Sequence, residues 1–130
     1  MIVSEGVMCM NFMTIPAMRN HQKQDLIRRN YREIYNHELA HKNAAGSYAG
    51  PIVIEKNSEG IPVGGHVSIE MPKLNKENPK ETIKHADIVI KSAMAPSDPS
   101  AQDYKVAAEA RSIKSKAENI ENKKRLNYYA

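Results

Sequence analysis

The chain of 130 residues contains a single cysteine, Cys9, and no tryptophan. One cysteine excludes an internal disulfide framework and a cysteine-based zinc site, so any metal ligands must come from His, Asp or Glu. No run of about 18 apolar residues occurs, so we expect no transmembrane helix. The length indicates one domain with a core of modest size.

A strong excess of one charge is also missing, because the formal net charge is only +4. No dense block of Lys and Arg interleaved with aromatic residues occurs, so we expect no nucleic-acid partner. The first 18 residues are rich in Met but lack a basic leader and an uninterrupted apolar stretch. We therefore predict no signal peptide and a cytoplasmic location.

Turn and cap signals predict a helix and then a hairpin in the first half of the chain. The helix covers residues 22–45, which contain neither Pro nor Gly, and Gly46 is a natural stop. Two β-branched runs, Ile52–Ile54 and Ile61–Ile69, flank the turn-rich residues 56–60. This pattern is typical of a β-hairpin.

Two further helices are predicted in the second half. Asn78 with Pro79 and Glu81 indicates a helix start, and that helix should run to about residue 94. Ser100 opens the last helix, which should end near residue 121.

The predicted order of elements defines an α+β fold, in which helices pack on a small antiparallel sheet. Residues 1–20 are expected to be a poorly ordered N-terminus and residues 122–130 a C-terminal tail. Residues 21–121 then form the folded domain.

The string His37-Glu38-Leu39-Ala40-His41 carries the strongest chemical signal. Side chains four apart lie one above the other on a helix, so two imidazoles can converge on one metal ion. At about 100° per residue, His37, Glu38 and His41 share an arc of about 140° with the apolar residues of the helix. Glu38 can then reach a zinc-bound water and accept its proton.

The alternative is an ordinary helix with two satisfied core histidines. An inward carboxylate without a partner is costly to bury, which favours the metal site.

Catalytic zinc normally takes three protein ligands, so a third must come from a later element. Position 47 is Ser, which excludes the longer motif with a further His six residues after His41. We rank His66 first, then Asp103 or Glu109, and then Glu70.

His66 follows Gly64 and Gly65, which would let another element approach the strand closely. Strand alternation places it on the face opposite Val67 and Ile69. Asp103 lies near the edge of the apolar stripe of the last helix, and its simplest role is a capping box with Ser100.

Three spaced stretches of the sequence resemble the SprA-related metalloprotease family of bacteria. They are HELAHKNAAGSYAGP, IPVGGHVSIEMP and AMAPSDPSAQDYKVAAEARSI, and they span roughly residues 25–118. The resemblance implies a zinc metallopeptidase with His37 and His41 as ligands and Glu38 as the catalytic acid/base.

The sequence therefore predicts a minimal zincin-like, zinc-dependent metallopeptidase that acts on a peptide or protein substrate. Zn²⁺ would be held by His37, His41 and His66, with Glu38 activating water. Tyr48 or Tyr104 would steady the oxyanion, and the hairpin edge would receive an extended peptide. The alternative is a non-catalytic zinc-binding or protein-interaction domain with the same fold. The sequence gives no indication of oligomeric state.

Overall fold

A computed structural model of the chain describes residues 15–129. Within that range the elements are helix α1 (Ile15–Ala45), a short 3₁₀ turn (Gly46–Tyr48), strands β1 (Ala49–Lys56) and β2 (Pro62–Ile69), and helices α2 (Pro79–Ala93) and α3 (Ala101–Tyr129). The predicted α+β order is thus confirmed. None of the helices in residues 15–129 combines the length and apolar character needed to cross a bilayer.

Both long helices extend beyond the predicted boundaries. Helix α1 begins at Ile15, inside the segment 1–20 that was predicted to be poorly ordered, and residues 1–14 of that segment lie outside the described residues. Helix α3 continues to Tyr129, where a tail was predicted. A tertiary contact supports this extension, since Lys124 Nζ donates a hydrogen bond to the Glu77 carbonyl at 2.8 Å.

Helix α1 is the central element, because it packs against both strands and against α2, while α2 packs against α3. Its 31 residues make it about 46 Å long. The core between the helices is built mostly of alanines, which allow the helix backbones to approach closely. The buried apolar residues are Ala45, Ala86, Val89, Ala93, Ala107, Ala110 and Ala117.

The start of α2 differs from the prediction. Asn78 occupies the N-cap position and Pro79 the first helical position, as expected, but the Asn78 side chain makes no capping hydrogen bond. Asn75 Oδ1 instead accepts hydrogen bonds from the backbone N–H groups of Glu77 and Asn78, both at 3.0 Å. The preceding loop therefore organises this helix start.

The two strands form an antiparallel pair, and β2 lies directly on α1 at Gly65. A Cβ at Gly65 would lie 2.7 Å from Ile34 Cγ2 and 2.9 Å from the Val53 carbonyl oxygen. The close approach that the paired glycines predicted is therefore present, and only a glycine fits at position 65.

We expect Gly65→Ala to destabilise the fold by roughly 1–3 kcal/mol, because the added methyl group forces the strand away from α1. Urea unfolding of the variant should show the loss as a lower midpoint with an unchanged slope. Gly64→Ala is the matched control, because a Cβ there meets only Glu55 Oε1 at 3.3 Å, the end of a flexible side chain. Equal stability of the Gly65 variant and the wild type would contradict this account.

Candidate metal centre

The last three turns of α1 bring His37, Glu38 and His41 together on its inner face. His41 and Glu38 are buried, and His37 is half-buried. One potential ligand atom from each of the three lies within 4.8 Å of the other two. The predicted inward orientation of this motif is thus confirmed.

The two imidazole rings meet through the same nitrogen. Their Nε2 atoms are 3.2 Å apart, and the rings cross at an interplanar angle of 77°. A shared ligand would therefore be approached by Nε2 of each ring.

Ser92 of α2 fixes the orientation of His41. The Ser92 carbonyl accepts a hydrogen bond from His41 Nδ1 at 2.8 Å, and Ser92 Oγ donates to the His41 carbonyl at 2.7 Å. A carbonyl can only accept, so the proton of the neutral ring is on Nδ1. The Nε2 atom of His41 then carries a lone pair that points at His37 and Asp103.

Asp103, in the first turn of α3, lies across both imidazoles. One carboxylate oxygen is 3.3 Å from His37 Nε2, and the other is 3.2 Å from His41 Nε2. The same carboxylate accepts a hydrogen bond from the Ser100 backbone N–H at 2.8 Å, while Ser100 Oγ accepts one from the Asp103 N–H at 3.2 Å. The predicted capping box is formed, and it holds the carboxylate against the histidine pair.

The spacing of these atoms matches a metal coordination sphere. Ligands about 2.0–2.1 Å from a tetrahedral ion are separated from each other by about 3.3–3.4 Å. The two Nε2 atoms are 3.2 Å apart, and each lies 3.2–3.3 Å from a different oxygen of Asp103. The two imidazoles therefore have the spacing of two corners of such a site, and the Asp103 carboxylate lies beside the third.

Glu38 lies beside the ligand triangle, the group formed by His37, His41 and Asp103. Its side chain is buried, and its Oε2 lies 4.0 Å from His37 Nε2. Within residues 15–129, this carboxylate accepts no hydrogen bond. A buried carboxylate without a hydrogen-bond donor is costly, so Glu38 is suited to a polar ligand in the adjacent cleft.

A cleft of about 510 Å³ opens onto this cluster. Strand β2 forms one wall, and α2 and α3 form the others. The apolar residues that line it are Val67, Ile69, Met71, Val89, Ala93 and Val106. The described residues that line it include three carboxylates and three histidines but no Lys or Arg.

His66 does not join the cluster. It lies at the edge of the cleft, and it is exposed. The predicted alternation is correct, because His66 is on the face opposite Val67 and Ile69. However, Gly65 shows that the face of Val67 and Ile69 is the one that meets α1, so His66 points away from the histidine pair.

The remaining candidates are also separated from the pair. Glu109 borders the cleft but is exposed, and Glu70 does not line it. Tyr48 stacks on His85 with ring centroids 3.8 Å apart, and Tyr104 is exposed. Neither tyrosine lines the cleft, so the predicted oxyanion role has no support in this arrangement.

Two residues near the site, Ser92 and Asp98, were not predicted from the sequence. Ser92 is a fully buried polar residue within the apolar stripe of α2, and that position in the stripe is its signal. Asp98 lies in the loop between α2 and α3, with its Oδ1 3.4 Å from His37 Nδ1. No periodic pattern marks Asp98.

The fold and this cluster define an α+β domain in which side chains of α1 and α3 that could bind a metal converge. The family model described as SprA-related family matches residues 15–127. Because this match covers most of the chain, the protein belongs to the SprA-related family. Comparisons with curated proteins and with solved structures gave no match.

Proposed function

We propose that this protein is a zinc-dependent metallopeptidase with a minimal zincin-like domain. His37, His41 and Asp103 would hold Zn²⁺, and Glu38 would act as the general acid/base. Asp103 replaces His66 as the third ligand, because its carboxylate contacts both imidazoles and His66 contacts neither.

The convergence of acceptor atoms supports a cation site most directly. The Ser92 carbonyl directs the His41 proton to Nδ1, so the Nε2 lone pair faces an Asp103 oxygen at 3.2 Å. Two acceptors repel each other at that distance unless a proton or a metal cation lies between them. A zinc ion would satisfy both acceptors and the Nε2 atom of His37 together.

The donor set agrees with zinc. Imidazole and carboxylate are common zinc ligands, and three protein ligands with one open position are typical of catalytic sites. When bound, zinc would act as a Lewis acid on a carbonyl and lower the pKa of water towards about 7.

Glu38 is suited to moving the proton in this reaction. It follows His37 directly in the chain, and its Oε2 is 4.0 Å from His37 Nε2, so its carboxylate would be within reach of a water bound beside the ligands. Its carboxylate can accept a proton from the attacking water and deliver it to the leaving amine nitrogen. Its burial limits competition from bulk water.

The substrate would be an extended peptide or protein segment. Strand β1 pairs with one edge of β2, and within residues 15–129 the sheet has only these two strands. Residues 65–67 of β2 border the cleft, so the other edge of the strand could pair with a peptide whose scissile carbonyl lies at the cluster. The apolar walls would receive its side chains.

The assignment of the third ligand is tested by zinc affinity, measured by competition with a chromophoric chelator. We expect Asp103→Ala to weaken binding by more than about 100-fold, since even residues that only orient zinc ligands contribute about 10–100-fold. His66→Ala should bind as tightly as the wild type. Ser100→Ala is the control for the lost cap, because it removes a capping group and leaves the ligand. Weak binding by the His66 variant with tight binding by the Asp103 variant would reverse the assignment.

Hydrolysis is tested with zinc-loaded protein and a diverse mixture of peptides, whose cleavage sites are read by mass spectrometry. We expect cleavage that a chelator abolishes and added zinc restores. Stoichiometric zinc without cleavage would instead support a non-catalytic zinc-binding domain with the same fold.

A further inference from the structure

His37 lies between two carboxylates that approach different ring nitrogens. Asp103 contacts Nε2 at 3.3 Å, and Asp98 Oδ1 is 3.4 Å from Nδ1. Asp98 is therefore on the side of the ring that faces away from the ligand triangle. A ligand role does not account for this contact.

The two histidines share one pattern. In each ring Nδ1 faces an oxygen acceptor outside the triangle, and Nε2 faces inward. For His41 the acceptor is the buried Ser92 carbonyl, and for His37 it is the exposed side chain of Asp98. A hydrogen bond from Nδ1–H selects the tautomer in which Nε2 carries a lone pair, and it directs that lone pair at the metal.

The loop between α2 and α3 provides Asp98, and the first turn of α3 provides Asp103. Asp98 precedes Ser100 by two residues, and Ser100 forms the capping box that fixes Asp103. Pro96 is buried, and Pro99 restricts the backbone directly after Asp98. The same backbone conformation therefore positions both carboxylates. It places Asp103 at Nε2 of the His37 ring and Asp98 at Nδ1.

We propose that Asp98 is a positioning residue for the metal centre. It accepts a hydrogen bond from His37 Nδ1–H, favours the tautomer with a free Nε2 and holds the ring against rotation. The proposal rests on the metal site described above. Asp98 Oδ1 and His37 Nδ1 are 3.4 Å apart, which is an ion-pair contact rather than a hydrogen bond, and a cation on Nε2 would draw them into a hydrogen bond by making Nδ1–H a stronger donor.

Zinc affinity is the first test. We expect Asp98→Ala to weaken zinc binding about tenfold, at the lower end of the effect of such residues, because water can reach His37 Nδ1 in its place. Asp98→Asn keeps an oxygen acceptor and should restore most of the affinity. Ser97→Ala, an exposed neighbour in the same loop, is the control and should bind as the wild type does. Equal zinc affinity of Asp98→Ala and the wild type would overturn the proposal.

The Nδ1–H group of His37 is the second test, measured by ¹H and ¹⁵N NMR of the zinc-loaded protein. Zinc on Nε2 leaves the ring proton on Nδ1, whereas in the metal-free protein Asp103 competes for that proton at Nε2. We expect slow exchange of the Nδ1 proton with water in the wild type and faster exchange in Asp98→Ala. Equal exchange rates in the two proteins would overturn the positioning role even if affinity fell. A wild type that bound no zinc would overturn the proposed function and this role with it, whereas zinc binding with unchanged exchange would overturn only the role of Asp98.

Discussion

Glu38→Gln should retain zinc and lose peptide hydrolysis by about 10²–10⁴-fold, the usual contribution of a general acid/base. Glutamine keeps the shape and polarity of the side chain but cannot accept a proton. The buried position of Glu38 beside the ligand triangle, with its Oε2 4.0 Å from His37 Nε2, makes it the group suited to that task. The measurement is kcat/KM on a cleaved peptide, together with zinc content.

Glu109→Gln is the matched control for this variant. Glu109 also borders the cleft, but it is exposed and is not part of the ligand cluster. It should hydrolyse the same peptide at close to the wild-type rate. A Glu38 variant that retained full activity would show that the proton is moved by another group. A Glu38 variant that lost zinc would show that the residue acts as a ligand.

His41→Ala should remove zinc binding and with it the stabilisation by zinc. Metal that binds only the folded state adds about 2.7 kcal/mol at a free concentration of 100 times Kd. The metal-free variant should also be less stable than the metal-free wild type by roughly 2–4 kcal/mol, because a cavity forms and the buried Ser92 carbonyl loses its donor. Thermal unfolding with and without zinc separates the two effects.

His66→Ala is the control for this experiment. It removes an imidazole at the edge of the cleft without changing the cluster, so zinc should raise its unfolding temperature as much as that of the wild type. If zinc stabilised His41→Ala to the same extent as the wild type, the ion would be binding elsewhere.

Local signals predicted the order of the elements, and tertiary contacts decided their lengths. Gly46 and the Ser100 cap were visible in the sequence, and the structure has a helix end and a helix start there. The end of α3 was not visible, because residues 122–129 carry no apolar periodicity. The contact of Lys124 with the Glu77 carbonyl depends on the position of a distant loop.

The helical part of the site was predictable, since the face of α1 follows from its own periodicity. The third ligand was harder for two physical reasons. Alternation places His66 opposite Val67, but the face that meets α1 is decided by packing at Gly65. Asp103 was assigned first to the capping box, although one carboxylate can cap α3 and contact both histidines at once.

The zinc content of protein purified without a His tag tests the central claim most directly. The protein would be loaded with excess zinc, freed of unbound metal by gel filtration and measured by inductively coupled plasma mass spectrometry. The arrangement of His37, His41 and Asp103 predicts one zinc ion per chain in the wild type and almost none in His41→Ala. Wild-type protein that retained no zinc would contradict the metal centre and the proposed chemistry with it.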